Sequence, residues 1–357
     1  AAAVLQRAEA GDVAAQVEVA KRYAGKGPEQ DLAKAVGWYR KAAGQGDGEA
    51  EEKLGEIYNR QGPFQDSVAA FGLFSKAAER GRPFARFMLA EMYADGNGTQ
   101  KDAAQALVHF RKAAEQGVTM AQHRLATFYL EGEGVPKDEA AAFSWNERAA
   151  KGGNVFAQVA LARAYSAGTG AAKDPAEALK WFRRAAEAGY HEGQFGLAFM
   201  YWHVEKGIPN DYGEAAKWAR RAAMQGHRRA QMLLGLLYSF GAGVPDDVVE
   251  CFAWLTLSGE SAARPLIDAA AQKMDSAQRE RAKARAAELG MQVKHEATLS
   301  MPFLESEAPT ESLMSRVGPV WLGAAALAGA VVAVAAGALV IRRRRASRNA
   351  AKVTDDR

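Results

Sequence analysis

The stretch AQHRLATFYLEGEGVPKD, residues 121–138, decides the fold, because it recurs along the chain at an almost constant interval. Its tyrosine, Tyr129, stands in register with Tyr23, Tyr58, Tyr93, Tyr165, Tyr201 and Tyr238, with successive gaps of 35, 35, 36, 36, 36 and 37 residues. A fixed period of this size marks a solenoid, in which each repeat is one supersecondary unit that buries its apolar face only against its neighbours.

Working outward from the tyrosines, the register extends to both sides. Eight residues before each stands a small residue: Ala15, Ala50, Ala85, Ala121, Ala157, Gly193 and Ala230. Four before are Val19, Leu54, Leu89, Leu125, Leu161, Leu197 and Leu234, and three before is always Ala or Gly. Offsets of three, four and eight are helical, so these positions predict one buried stripe on a first helix. A Gly-rich break follows, as in Gly132-Glu133-Gly134 or Gly241-Ala242-Gly243. Each repeat then carries an aspartate: Asp31, Asp66, Asp102, Asp138, Asp174, Asp211 or Asp247. Aspartate accepts the unpaired amides of a first helical turn, so it predicts the N-cap of a second helix. That helix often holds a tryptophan (Trp38, Trp145, Trp181, Trp218, Trp254) and ends at a glycine (Gly46, Gly81, Gly117, Gly153, Gly189, Gly226), the expected left-handed stop. No strand pattern appears.

This pattern resembles the Sel-1-like repeats, relatives of the tetratricopeptide repeats. The likeness is carried by Ala121-Gln122, Leu125-Ala126, Tyr129, Gly132, Gly134-Val135 and Asp138, and by Trp181, Ala185-Ala186 and Gly189. Departures fall at Arg60-Gln61-Gly62-Pro63, at Trp202-His203-Val204-Glu205, and at His109, which replaces a tryptophan. The resemblance implies an interaction scaffold, of the kind that serves as an adaptor in membrane-associated complexes or signalling. The expected fold is all-α: a right-handed α-solenoid of helix-turn-helix repeats plus one C-terminal transmembrane helix. Residues 1–11 read as a half-repeat, 12–260 as seven repeats, 261–290 as a capping helical segment, and 291–316 as a flexible tether. Residues 317–341 read as the transmembrane helix and 342–357 as a basic tail.

The membrane reading rests on residues 320–341, VWLGAAALAGAVVAVAAGALVI, which carry no charge and precede Arg342–Arg345. Such a helix is about 33 Å long, enough to span a bilayer core. The tail from 342 to 357 holds seven Lys/Arg and two Asp, so it is +5 and the remainder of a +4 chain is −1. The high isoelectric point therefore comes from the tail, and a nucleic-acid role has no electrostatic support. Positive charge marks the cytoplasmic flank, which points to a single-pass protein of a bacterial inner membrane with periplasmic repeats. A tail anchor with cytosolic repeats, in the endoplasmic reticulum or mitochondrial outer membrane, is the other topology. Ala325, Gly329, Ala333 and Gly337 form a small-residue ridge through which two spans could pair as a homodimer.

Expected chemistry is sparse. The Gly-x-Gly turns follow helices and lack the Gly-Lys-Ser/Thr of a phosphate loop. The histidines 109, 123, 191, 203, 227 and 295 form no His-Glu-x-x-His pair, so no metal set, cofactor or catalytic residue is named. Cys251 is the single cysteine, expected as a buried thiol, and Asn97-Gly98-Thr99 is a glycosylation sequon. Partner-binding candidates come from the first-helix positions away from the Leu/Ala stripe. These are mostly polar early on (Lys21, Lys53, Glu56, Glu91, Arg124, Thr127, Arg163) and turn apolar late: Phe199, Leu233, Leu236 and Phe240, beside Trp202 and His203. An apolar patch on a polar face fits either a binding groove or a surface covered by the 265–289 segment. The reading is a non-catalytic membrane-anchored adaptor that binds and positions other proteins or peptide segments. The resemblance also allows a short luminal adaptor of endoplasmic-reticulum degradation; a cell-wall or hydrolytic enzyme would be a different class without a motif to support it.

Overall fold

The computed structural model describes residues 2–25, 30–203, 208 and 210–304, with side chains to residue 296. The regular elements among the described residues are all helices, with no strand. The chain divides into two compact units, residues 1–157 with 169–171, and residues 158–168 with 172 onward. The first holds α1 (Ala2–Glu9), α2 (Val13–Ala24), α3 (Leu32–Gly44), α4 (Gly48–Asn59), α5 (Ser67–Glu79), α6 (Pro83–Asp95), α7 (Ala103–Glu115), α8 (Thr119–Glu131) and α9 (Glu139–Lys151). Helix α10 (Val155–Ala167) begins in the first unit and continues in the second. The second unit adds α11 (Pro175–Glu187), α12 (His191–Trp202), α13 (Tyr212–Met224), α14 (Arg228–Phe240), α15 (Val248–Ser258), a short 3-10 turn (Ser261–Ala263), α16 (Arg264–Gln272) and α17 (Ser276–Leu304). Within each unit helices pack on their neighbours in sequence, as an α-solenoid requires.

The seven aspartates cap as their chemistry dictates. Each accepts from amides in the first turn of α3, α5, α7, α9, α11, α13 or α15. A cap of this kind contributes about 1 kcal/mol. The same residue also closes the inter-helix loop. The backbone N–H of each aspartate donates to the carbonyl of the tyrosine that precedes it, from Asp31 on Tyr23 at 2.8 Å to Asp247 on Tyr238 at 3.2 Å. The Tyr–Asp interval is thus one backbone hydrogen bond repeated seven times.

The Leu/Ala stripe is buried as its spacing requires, Leu125, Leu161, Leu197 and Leu234 being completely enclosed. Gly193 takes the place of alanine because a Cβ there would lie 2.5 Å from that of Ala185. In the first unit Phe110 packs between Phe87 and Phe128, at ring separations of 6.0 and 5.2 Å. Two further ties run between helices. Arg40 and Arg111 donate to the hydroxyls of Tyr58 and Tyr129 in the first unit. Arg183 and Arg220 do the same to Tyr201 and Tyr238 in the second. Gln16, Gln122, Gln194 and Gln231 donate to carbonyls at the end of the preceding helix. Arg82, at the N-cap of α6, supplies no side-chain cap; Glu52 of α4 substitutes by accepting from Ala85 N at 3.1 Å while pairing with Arg82.

Buried His123 donates through Nδ1 to Asn146 Oδ1, 2.8 Å away. Burial pushes its pKa down to about 4, partly opposed by that hydrogen bond. The folded state therefore disfavours protonation, so this histidine's contribution is complete above about pH 6.5 and is lost as the pH falls toward 4, by roughly 3 kcal/mol. A His123→Asn variant, which preserves a donor toward Asn146, is expected to show a flatter stability profile between pH 6.5 and 5 in urea titrations. An unchanged profile would contradict the buried neutral imidazole. Burial also pushes the Cys251 thiol up to about 11, so the lone cysteine is a packed, unreactive group.

Two expectations change at the C-terminal end. Helix α17 runs through residues 291–304, the first part of the expected tether. Gly290 has no positive φ and therefore does not stop it. Among the described residues no helix is long and apolar enough to cross a membrane. Helix α17 has the length, but Arg279, Glu280, Arg281, Lys283, Arg285 and Glu288 put charges along it that hydrocarbon does not tolerate. The localisation read from the sequence is corrected accordingly. A single-pass protein of a bacterial inner membrane, endoplasmic reticulum or mitochondrial outer membrane has no spanning helix among these residues. Residues 320–341, and the helix-pairing homodimer expected from them, lie outside the described residues.

Candidate interaction surface

Two residues before its tyrosine, helix α12 carries Phe199 where α2, α4, α6, α8 and α10 carry Lys21, Glu56, Glu91, Thr127 and Arg163. His191, Phe195, Phe199 and His203 are four residues apart and share one face. Their rings form a continuous run. Phe195 lies 6.2 Å from Phe199, and Phe199 lies 5.7 Å from Trp202 and 5.5 Å from His203, stacked on the latter at 14°. At the other end Phe195 stacks on His227, the N-cap of α14, at 4.5 Å. The run passes from buried to exposed along the helix: Phe195 is enclosed, Phe199 and Trp202 are half-buried, and His203 faces solvent.

The buried end is held by a polar network. His227 Nδ1 accepts from Ala230 N at 3.1 Å and so caps α14. The proton of a neutral His227 is then on Nε2, which lies 3.2 Å from Glu192 Oε1. Arg163 of α10 donates to the other carboxylate oxygen at 2.5 Å. Burial pushes the Glu192 carboxyl up, but the hydrogen bond and charge of His227, with Arg163 and His191, together hold it well below the usual carboxylate range. Burial also brings His191 down to about 4, aided by the charge of His227.

The structure separates the sequence-derived candidates. Phe199, Trp202 and His203 form one cluster, and Phe240 is half-buried at the end of α14. Leu233 and Leu236 are each only 3% exposed and lie in the core. The helical offset correctly puts them together, but the apolar neighbours that surround α14 enclose both. The capping segment follows the second helices: α17 packs along α15 and touches α13, with Arg285 on Glu250 at 2.6 Å. The polar face of the middle repeats is also less open than its composition suggests. Glu91, Arg124 and Thr127 are buried, with Arg124 Nε 2.7 Å from Glu91 Oε1 and its guanidinium over Phe110 and Phe128. The repeat-register residues Tyr23, Tyr58, Tyr93, Tyr129, Tyr165, Tyr201 and Tyr238, and the caps Asp102, Asp138 and Asp174, stand where the period puts them.

The grouping of Arg163, His191, Glu192 and His227 escapes a search for short motifs. His191 and His227 are 36 residues apart, at the starts of successive first helices, so local spacing does not show their pairing.

Comparison with known proteins agrees with the architecture. The Sel1 repeat family matches seven consecutive segments, residues 13–47, 48–81, 83–118, 119–154, 155–190, 191–227 and 228–261. A Sel1 repeat protein from Oxalobacter formigenes is similar at 30% identity and a TM-score of 0.59, over 70% of this chain and 98% of that one. A protective antigen of uropathogenic Escherichia coli strains, displaying an SLR fold, is 24% identical with a TM-score of 0.48, over 86% of this chain and 90% of its own. No curated protein matches the chain. Seven matched repeats, together with the helix pairs and caps described above, make this chain a member of the Sel1 repeat family.

Proposed function

We propose that the chain is a non-catalytic scaffold that holds a partner protein against the exposed end of α12, through Phe199, Trp202 and His203. The Sel1-repeat fold is that of a protein-interaction scaffold. The observation that carries this particular surface is the aromatic run itself. It emerges from the core onto a helix face where the second repeat holds, in the place of Phe199, Glu56 paired with Lys53. Half-buried aromatic rings provide large, rigid contact area with little conformational entropy to lose, and such residues dominate binding energy at protein interfaces. Buried Phe195 and His227 support the exposed rings from below, so the surface is preorganised. The partner segment that suits it presents apolar anchors to Phe199 and Trp202, with a hydrogen-bonding group for His203.

A photoreactive phenylalanine analogue at position 202 tests the reading in the source cells. It is expected to crosslink a defined protein partner. Phe199→Ser should weaken capture about tenfold or more while circular dichroism and melting temperature remain close to the parent. Equal capture from a probe at exposed Val108 of α7, or no response to Phe199→Ser, would reject this surface.

A further inference from the structure

We propose that His191, Glu192 and His227 form a binding site for a divalent transition-metal ion of the Zn2+ type. One ligand atom from each lies within 4.8 Å of the other two. Two imidazoles and one carboxylate are a three-ligand set that zinc uses where a fourth position is left to water or another donor. With bonds of about 2.0–2.1 Å, ligand atoms around a tetrahedral zinc are about 3.4 Å apart. The ion therefore has to draw the three groups together by side-chain rotation, without moving the helices that carry them.

Three further features support the assignment. His191 Nδ1 is buried and has no hydrogen-bond partner among the protein atoms, an arrangement that calls for an explanation. Arg163 holds one oxygen of Glu192 and leaves the other directed at His227, the orienting role that outer residues play around ligating carboxylates. The Glu192 side chain is 30% exposed, against 7% for His227, so one side of the group is open to an incoming ion. Arg163 also opposes a cation electrostatically, which limits affinity.

His227 gives the site a distinctive consequence. In the metal-free protein its Nδ1 lone pair caps Ala230. Coordination through Nε2 requires that the ring keep its single proton on Nδ1, so the Ala230 amide loses its acceptor when the ion binds. No proton is released by this tautomer change. The site would tie the start of α12 to the start of α14, one repeat further on, beneath the aromatic surface.

The experiment uses the full chain, stripped of metal by chelator and titrated with Zn2+ by calorimetry, with Co2+ absorption as a geometric probe. One ion per chain is expected, with tetrahedral Co2+ bands and a shift of the Ala230 amide resonance. Glu192→Gln should lower Zn2+ affinity about tenfold or more. His227→Asn should do the same while retaining the cap, because Asn154 already accepts from Ala157 N at 2.9 Å in the equivalent place before α10. The melting temperature of the metal-free His227→Asn protein then verifies that folding is intact. Should that variant not fold, Glu192→Gln and the Ala230 resonance still decide. Absence of stoichiometric binding overturns the site. Binding that neither variant weakens also overturns it, since the ion would then be held by other histidines.

Discussion

Gly243→Ala is expected to destabilise the second unit by about 3 kcal/mol or more. Gly243 has φ of +70°, a conformation that costs an L-residue energy by itself. Its more severe constraint is contact: an added Cβ would lie 1.9 Å from the carbonyl oxygen of Tyr212, at the first residue of α13. That oxygen belongs to helical backbone, so relief requires moving the loop after α14 away from α13. The preceding glycine of the same turn is the control. Gly241 also has positive φ, +57°, as the left-handed cap of α14, but its nearest neighbours to an added Cβ are 3.3 Å away, at Asp246. Gly241→Asn is expected to cost less than about 1 kcal/mol, since asparagine tolerates the left-handed region. Urea unfolding followed by the fluorescence of Trp218 and Trp254 measures both. Similar losses for the two variants would show that conformation alone, without the contact, constrains the turn. The approach recurs in the first unit at Gly98 on Ser67 and at Gly170 on Glu139, each 2.1 Å from a carbonyl oxygen. It is the physical reason for the second glycine of the Gly-x-Gly turns.

The second large effect is expected at the Arg124–Glu91 pair. Their side chains are only 10% and 7% exposed, so the pair is screened little by water. Arg124→Met removes the guanidinium partner of a buried carboxylate and is expected to cost about 3 kcal/mol or more. Glu91→Leu together with Arg124→Met removes both charges and leaves apolar groups beside Phe110 and Phe128. Replacing a buried ion pair by packed apolar side chains is often neutral or stabilising, so the double variant should recover most of the loss. A double-mutant cycle in urea yields the coupling directly. If the double variant is as unstable as the two single losses added, the charges are not coupled, and the pair owes its place to something other than mutual neutralisation. The same measurement bears on function, because these positions would otherwise be counted as an open polar face.

The sequence alone determined the repeat, and for a clear reason. A solenoid applies one packing rule every 35–37 residues, so each structural need recurs at a fixed offset and becomes legible without knowledge of the fold. The Leu/Ala stripe, the capping aspartates and the glycine stops are needs of this kind: each is satisfied within one repeat or against the next. The membrane reading rested instead on the composition of one non-repeating segment, and the charged helix α17 that precedes it is no spanning helix. Only the tertiary structure decided which residues on the first-helix face are available. Leu233 and Phe199 share a hydrophobic character in sequence, yet one is enclosed by its neighbours and the other emerges at the end of a ring stack. Burial depends on what the next helix places opposite, which local spacing does not encode. The Tyr–Arg hydroxyl ties, the Glu52 cap on α6 and the His191–Glu192–His227 group were hidden for the same reason. Each joins residues about half a repeat or a whole repeat apart, a distance that becomes contact only when the helices stack.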